Sequence, residues 1–102
     1  MDQLNLKDKV VLITGGSRGL GRAMAFGFAR NGANVAIVSR KMDSCVSTAE
    51  EIEQAYQVRA FPFAAHAAEW GSMDNMVEAV YKEFGRVDVL INNAGMSPLY
   101  PS

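Results

Sequence analysis

The sequence predicts an α/β fold: an open, doubly wound parallel sheet of four strands in the order 3-2-1-4, with three helices as its connections. Three observations carry this reading. Short apolar runs alternate with amphipathic stretches of helical length, as β-α-β-α-β-α-β. Each helical connection is long enough to cross between parallel strands. A glycine-rich turn joins the first run to the first helix. With 102 residues, a chain buries ~65% of its unfolded surface, enough for one modest core and no second domain.

Residues 9–14 (KVVLIT) hold four consecutive apolar side chains ahead of glycines and read as a strand buried on both faces. Leu20, Ala23, Met24, Gly27 and Phe28 then recur at helical spacing, and Asn31 and Gly32 supply the stop. Residues 34–39 (NVAIVS) form a second strand. Met42, Cys45, Val46, Ala49, Ile52 and Tyr56 mark a second helical face, with Cys45 expected in the core. Residues 59–63 (RAFPF) make a third strand, and Pro62, which cannot donate to a ladder, suits an edge. Met73, Met76, Val77, Val80 and Phe84 define the third helix, with Ser72 as its expected N-cap and Gly85 as its end. Residues 87–92 (VDVLIN) are the fourth strand, and 93–102 are loop.

Composition removes several classes. A 49% hydrophobic chain of net charge −1 is not disordered and is not a general nucleic-acid binder. No apolar run approaches the ~18 residues of a membrane span, and the first ten residues contain no secretory h-region. A lone Cys45 forms no internal disulfide or cysteine metal cluster and suits a reducing, cytoplasmic setting. Charge is uneven: residues 1–41 carry +5 and residues 42–102 carry −6. The basic first segment suits an anionic ligand.

The candidate site is the turn Gly15, Gly16, Ser17, Arg18, Gly19, Leu20, Gly21. Gly21 falls inside the helical pattern, where glycine costs about 1 kcal/mol relative to alanine. Close approach explains it: the backbone can meet a pyrophosphate, the helix can sit tight on the strand, and the first helical N–H groups can bind phosphate. A tight turn without a ligand is the bland alternative. Gly16 and Gly21 have the spacing of an NTPase phosphate loop, but Arg22 and Ala23 replace its Lys and Ser/Thr. Ser17 also sits in a G-x-S-x-G, the pattern of a hydrolase nucleophile elbow. A hydrolase needs a late histidine, and the sole histidine, His66, lies beside the third strand.

A ribose selector belongs at the end of the second strand, where Asp or Glu accepts from the 2′-hydroxyl of NAD. Here Ser39, Arg40 and Lys41 stand there, and the next carboxylate is Asp43. Arg40, with Arg18 opposite, suits a 2′-phosphate, so NADP(H) is favoured over NAD(H).

With these motifs in order, the chain resembles the short-chain dehydrogenase/reductase family. TGGSRGLG at 14–21 looks like its TGxxxGxG cofactor loop, and NNAG at 92–95 looks like its NNAG after the fourth strand. The resemblance implies a partial Rossmann-type sheet. Gly15, Ser17, Gly19, Leu20 and Gly21 would then line the cofactor, with Arg18, Ser39, Arg40 and Lys41 at its 2′-phosphate. Asn92, Ala94 and Gly95 would lie on the nicotinamide side. His66 stands where many members have an adenine-contacting Asp. The family's acid–base chemistry uses a Tyr-x-x-x-Lys pair, but Tyr56 is followed four residues on by Ala60 and Tyr81 by Gly85. The expectation is therefore the N-terminal, cofactor-binding part (1–102) of a longer domain, inactive by itself. The parent would exchange hydride with a small carbonyl or alcohol and, like its relatives, form a homo-oligomer. A non-catalytic dinucleotide sensor is the alternative. The fourth strand is expected to form an open apolar edge, making the isolated chain marginal or self-associating.

Overall fold

A computed structural model describes residues 5–15, 19–64 and 70–93. The elements run β1 (Val10–Thr14), α1 (Gly19–Arg30), β2 (Asn34–Ser39), α2 (Met42–Ala55), β3 (Ala60–Ala64), α3 (Trp70–Phe84) and β4 (Val89–Asn92). All strands are parallel, in the order β3-β2-β1-β4. The expected fold class and strand order are those of the structure.

Period-two alternation divides the core into two layers. Val11 and Ile13 of β1, with Val35 and Ile37 of β2, meet Ala25 and Ala29 of α1 and Cys45 and Ile52 of α2. Their neighbours Val10, Leu12, Ala36 and Val38 point the other way, onto Met76 and Val80 of α3. Both faces of β1 and β2 are thus covered, which is why these strands read as unbroken apolar runs. The chain moves outward from β1 to β3 and then returns past β1 to β4. A constant crossover hand puts the returning helix on the opposite face.

Several boundaries and faces differ from expectation for identifiable reasons. On α1 the buried line is Gly21, Ala25 and Ala29, while Leu20 is 62% exposed and Ala23 is also outside. Small residues let the helix axis approach the sheet, and the larger Met24, Phe26 and Phe28 flank that line. On α2, Met42 is exposed and Thr48 is buried in the line with Cys45, Ala49 and Ile52. Helix α3 begins at Trp70, so Ser72 lies within its first turn and is not the N-cap. Trp70 stands three residues before Met73, in step with the same apolar period, so the helix starts earlier than a Ser72 cap places it. Pro62 sits on β3, which among the described residues is an edge strand paired with β2 alone. Phe61 stacks near Phe63 and meets Phe84 of α3 edge-on.

Strand β4 starts at Val89, two residues later than its apolar run, because Asp88 terminates the ladder with its side chain. The Val10 amide donates to Asp88 Oδ2 at 2.8 Å, and the Asp88 amide donates to the Val10 carbonyl at 2.9 Å. Arg86 holds the same carboxylate through Nε (2.9 Å) and Nη2 (2.8 Å). Beyond Asp88, Val89 and Leu90 are 37% and 48% exposed, so β4 presents the apolar edge that the sequence leads one to expect.

The Arg86 hydrogen bonds, and then the Val10 amide, hold the Asp88 carboxyl below its ordinary pKa. A depressed pKa in the folded state stabilises the fold above the unfolded pKa, and this contribution is lost as pH falls through the folded value. Asp88→Asn is therefore expected to lower the melting temperature at pH 7. In thermal melts across pH, the gap to wild type should narrow as the pH drops below ~3.9; a gap independent of pH contradicts this role.

Candidate functional site

The carboxyl ends of all four strands lie at one edge of the sheet, set by the register. Thr14 is opposite Val38 and Asn92, and Ser39 is opposite Ala64. The turn after β1, the turn after β2 and the residues after β4 therefore converge there. In an open parallel sheet, this edge holds ligands at the point where strand order reverses, here between β1 and β4.

The turn after β1 is tied down on both sides. The Gly15 amide donates to the Val38 carbonyl at 2.6 Å. Thr14 Oγ1 donates to Asn92 Oδ1 at 2.9 Å, and Asn93 Nδ2 donates to the Gly15 carbonyl at 3.4 Å. The two later glycines have separate jobs. A Cβ on Gly21 would lie 2.0 Å from the Gly15 carbonyl oxygen and 2.8 Å from Asn93 Nδ2, so α1 sits on the turn as closely as a backbone allows. Gly19 has φ +60°, and among the described residues nothing lies within 4 Å of a Cβ position. It takes a left-handed conformation that other residues resist.

Helix α1 has no acidic residue in its first turn. The partial positive charge of its amino end, directed at this edge, is uncompensated there by the helix's own side chains. After β2, Arg40 and Lys41 are exposed, and among the described residues neither forms an ion pair. The Ser39 hydroxyl turns inward, 3.3 Å from the Lys41 carbonyl and 3.1 Å from Cys45 Sγ. Asp43, the first carboxylate after β2, stands in the first turn of α2.

Gly15, Gly19, Leu20, Gly21, Ser39, Arg40, Lys41 and Asn92 are thus all placed at the carboxyl edge or on the first turn of α1. Ser17, Arg18, His66, Ala94 and Gly95 lie outside the described residues, as do the side chain of Met73 and the loop 94–102. The role of Asn93 as a tie to Gly15 was hidden in the sequence by a separation of 78 residues. The part of Arg22 likewise depends on a residue distant in sequence. Arg22 pairs with Glu51 at 2.6 Å, donates to Thr48 Oγ1 at 3.5 Å and lies over the Phe26 ring at 4.6 Å, locking α1 to α2. Among the described residues, no helix is long and apolar enough to cross a membrane.

Comparison with known proteins agrees with this geometry. Residues 9–102 match the short chain dehydrogenase family. The chain is 44% identical over 99 residues to the L-rhamnose 1-dehydrogenase (NAD(P)(+)) of Azotobacter vinelandii, covering 93% of this chain and 38% of that one. It is 40% identical over 91 residues to a 3-oxoacyl-[acyl-carrier-protein] reductase of Staphylococcus epidermidis, covering 88% of this chain and 37% of that one. The crystal structure of L-sorbose reductase from Gluconobacter frateurii, complexed with NADPH and L-sorbose, superposes with a TM-score of 0.88 at 37% identity. That match covers 92% of this chain and 36% of the reductase. The chain thus spans little more than a third of the length of these relatives.

The glycine geometry yields a paired expectation. Gly21→Ala places a methyl against backbone atoms that cannot give way and should open the β1–α1 turn, with a large loss of stability. Gly27→Ala, with no described residue within 4 Å of the new methyl, should be neutral or stabilising by up to ~1 kcal/mol. Chemical denaturation of both variants checks this, and equal effects contradict it.

Proposed function

The chain belongs to the short-chain dehydrogenase family, and from that premise we propose that its residues form the NADP(H)-holding part of an oxidoreductase acting on a small carbonyl or secondary alcohol. One observation carries the choice of cofactor. The turn after β2 presents Arg40 and Lys41, exposed and without ion pairs among the described residues, where an NAD site would place a carboxylate.

The site fits a dinucleotide on its own geometry. The contact of Gly21 with the Gly15 carbonyl fixes the amino end of α1 at the sheet edge, and no described residue lies within 4 Å of a Cβ position on Gly19. Free N–H groups of the first turn of α1 bind the pyrophosphate, helped by the helix dipole. Arg40 holds the 2′-phosphate by charge-assisted hydrogen bonds, with Lys41 adding positive potential. Asn92 and Asn93, fixed to Thr14 and Gly15, close the β4 side of the site and orient the nicotinamide half. When bound, the nicotinamide supplies or accepts the hydride. No tyrosine of the 102 residues is followed four positions later by lysine, so the proton-transfer step of the family is assigned to none of them. The part played by these residues is binding, orientation and cofactor choice.

A fluorescence titration with NADPH and NADH tests the reading. NADPH is expected to bind ~10- to 100-fold more tightly, the worth of one charge-assisted contact. Arg40→Glu should remove most of that preference by weakening NADPH and sparing NADH. Equal affinities in the wild type, or a variant that weakens both alike, overturn the assignment.

A further inference from the structure

The turn that carries Arg40 and Lys41 is not held in the usual way. Lys41 is the N-cap of α2, with extended backbone (φ −112°, ψ 119°) and no side-chain capping bond. Serine, threonine, aspartate or asparagine would ordinarily hold such a turn. Here the Lys41 carbonyl is fixed from two sides, by the Cys45 amide at 3.2 Å and by the Ser39 hydroxyl at 3.3 Å. Behind them stands the Cys45 thiol, fully buried, 3.1 Å from Ser39 Oγ and 3.7 Å from the Phe63 carbonyl of β3. With the Ser39 hydroxyl donating to Lys41, the thiol donates either to Ser39 Oγ or to the Phe63 carbonyl. The first joins the end of β2 to the start of α2; the second joins the start of α2 to the edge strand β3, and there the Ser39 hydroxyl can donate to Cys45 Sγ in place of the Lys41 carbonyl.

We propose that Cys45 is a positioning residue for dinucleotide choice: through Ser39, its buried thiol holds the β2–α2 turn in the shape that presents Arg40 to the 2′-phosphate. Cys45 is inaccessible and touches no ligand itself, so its influence runs wholly through the turn. NADH lacks the 2′-phosphate and depends on this turn much less, so a loosened turn penalises NADPH selectively. The inference rests on the NADP(H) reading above.

Two substitutions separate polar anchoring from packing. Cys45→Val fills the space without a donor, and Cys45→Ser keeps a donor in a slightly smaller side chain. Both are titrated with NADPH and NADH after circular dichroism has confirmed folding. Cys45→Val is expected to weaken NADPH about three- to tenfold, part of one charge-assisted contact, with NADH changed by less than about twofold. Cys45→Ser should restore the wild-type ratio. Cys45→Ala, which removes the thiol without adding bulk, should reproduce the selective loss and serves as the readout if Cys45→Val does not fold. Cys45→Val indistinguishable from wild type, equal loss of both cofactors, or Cys45→Ser as impaired as Cys45→Val overturns the proposal. A wild-type protein without NADPH preference removes the cofactor reading and this inference together, whereas a preference untouched by the variants removes this inference alone.

Discussion

Helix α1 lies so close to the end of β1 that residue 21 has no room for a methyl group, and the carboxyl edge of the sheet is organised around that contact. The space a Cβ would take is filled by the Gly15 carbonyl and the Asn93 amide. Pressing the helix down here brings its amino end, whose N–H groups have no partner within the helix, to the edge where β1 and β4 diverge. It also draws in the end of β4, since Asn93 donates to the same carbonyl and Asn92 accepts from Thr14. Ala25 and Ala29 continue the line of small residues along the helix, so the approach is kept for two further turns. The glycine at 21, costly in a helix by propensity, is required by what lies beneath it.

The cations near the site divide by their partners. Arg22, next to the glycine turn, is committed to Glu51 and Thr48, with its guanidinium over Phe26. Arg59 and Glu83 form a further ion pair at the other side of the fold, and Arg59 also covers Phe84. Exposed pairs of this kind are worth only about 0–1 kcal/mol each, so their main effect is to fix where long side chains lie. Arg40 and Lys41 carry no such pairing among the described residues. Positive charge unpaired among the described residues thus stands at the end of β2, at the same sheet edge as the amino end of α1, whose first turn has no acidic side chain.

Much of this was legible in the sequence because it is governed by local rules. β2 runs over 34–39, as its apolar run indicates, and the glycine turn with its following helix announces the close approach of α1 to the sheet. Other features depend on contacts between distant residues. The buried face of α1 is turned from Leu20 toward Gly21 and Ala25 because close packing favours small side chains there over large apolar ones. β4 is shortened by Asp88, whose bonds to Val10 span 78 residues. The links from Arg22 to Glu51 and from Cys45 to Phe63 likewise have no periodic signature. Periodicity identifies elements and their order, whereas the side chains that fix a site in place are chosen by tertiary proximity.

The most direct test of a dinucleotide seated on this edge is a titration of the isotopically labelled protein with NADPH, followed by amide chemical shifts in two-dimensional NMR. The account predicts that the largest shifts fall on Gly15, Gly19, Leu20, Gly21, Arg40, Lys41, Asn92 and Asn93, with the amino end of the sheet around Val10 and Asp88 unmoved. Shifts centred instead on the polar depression of Arg22, Ser47 and Glu51, or no saturable shifts at all, contradict it.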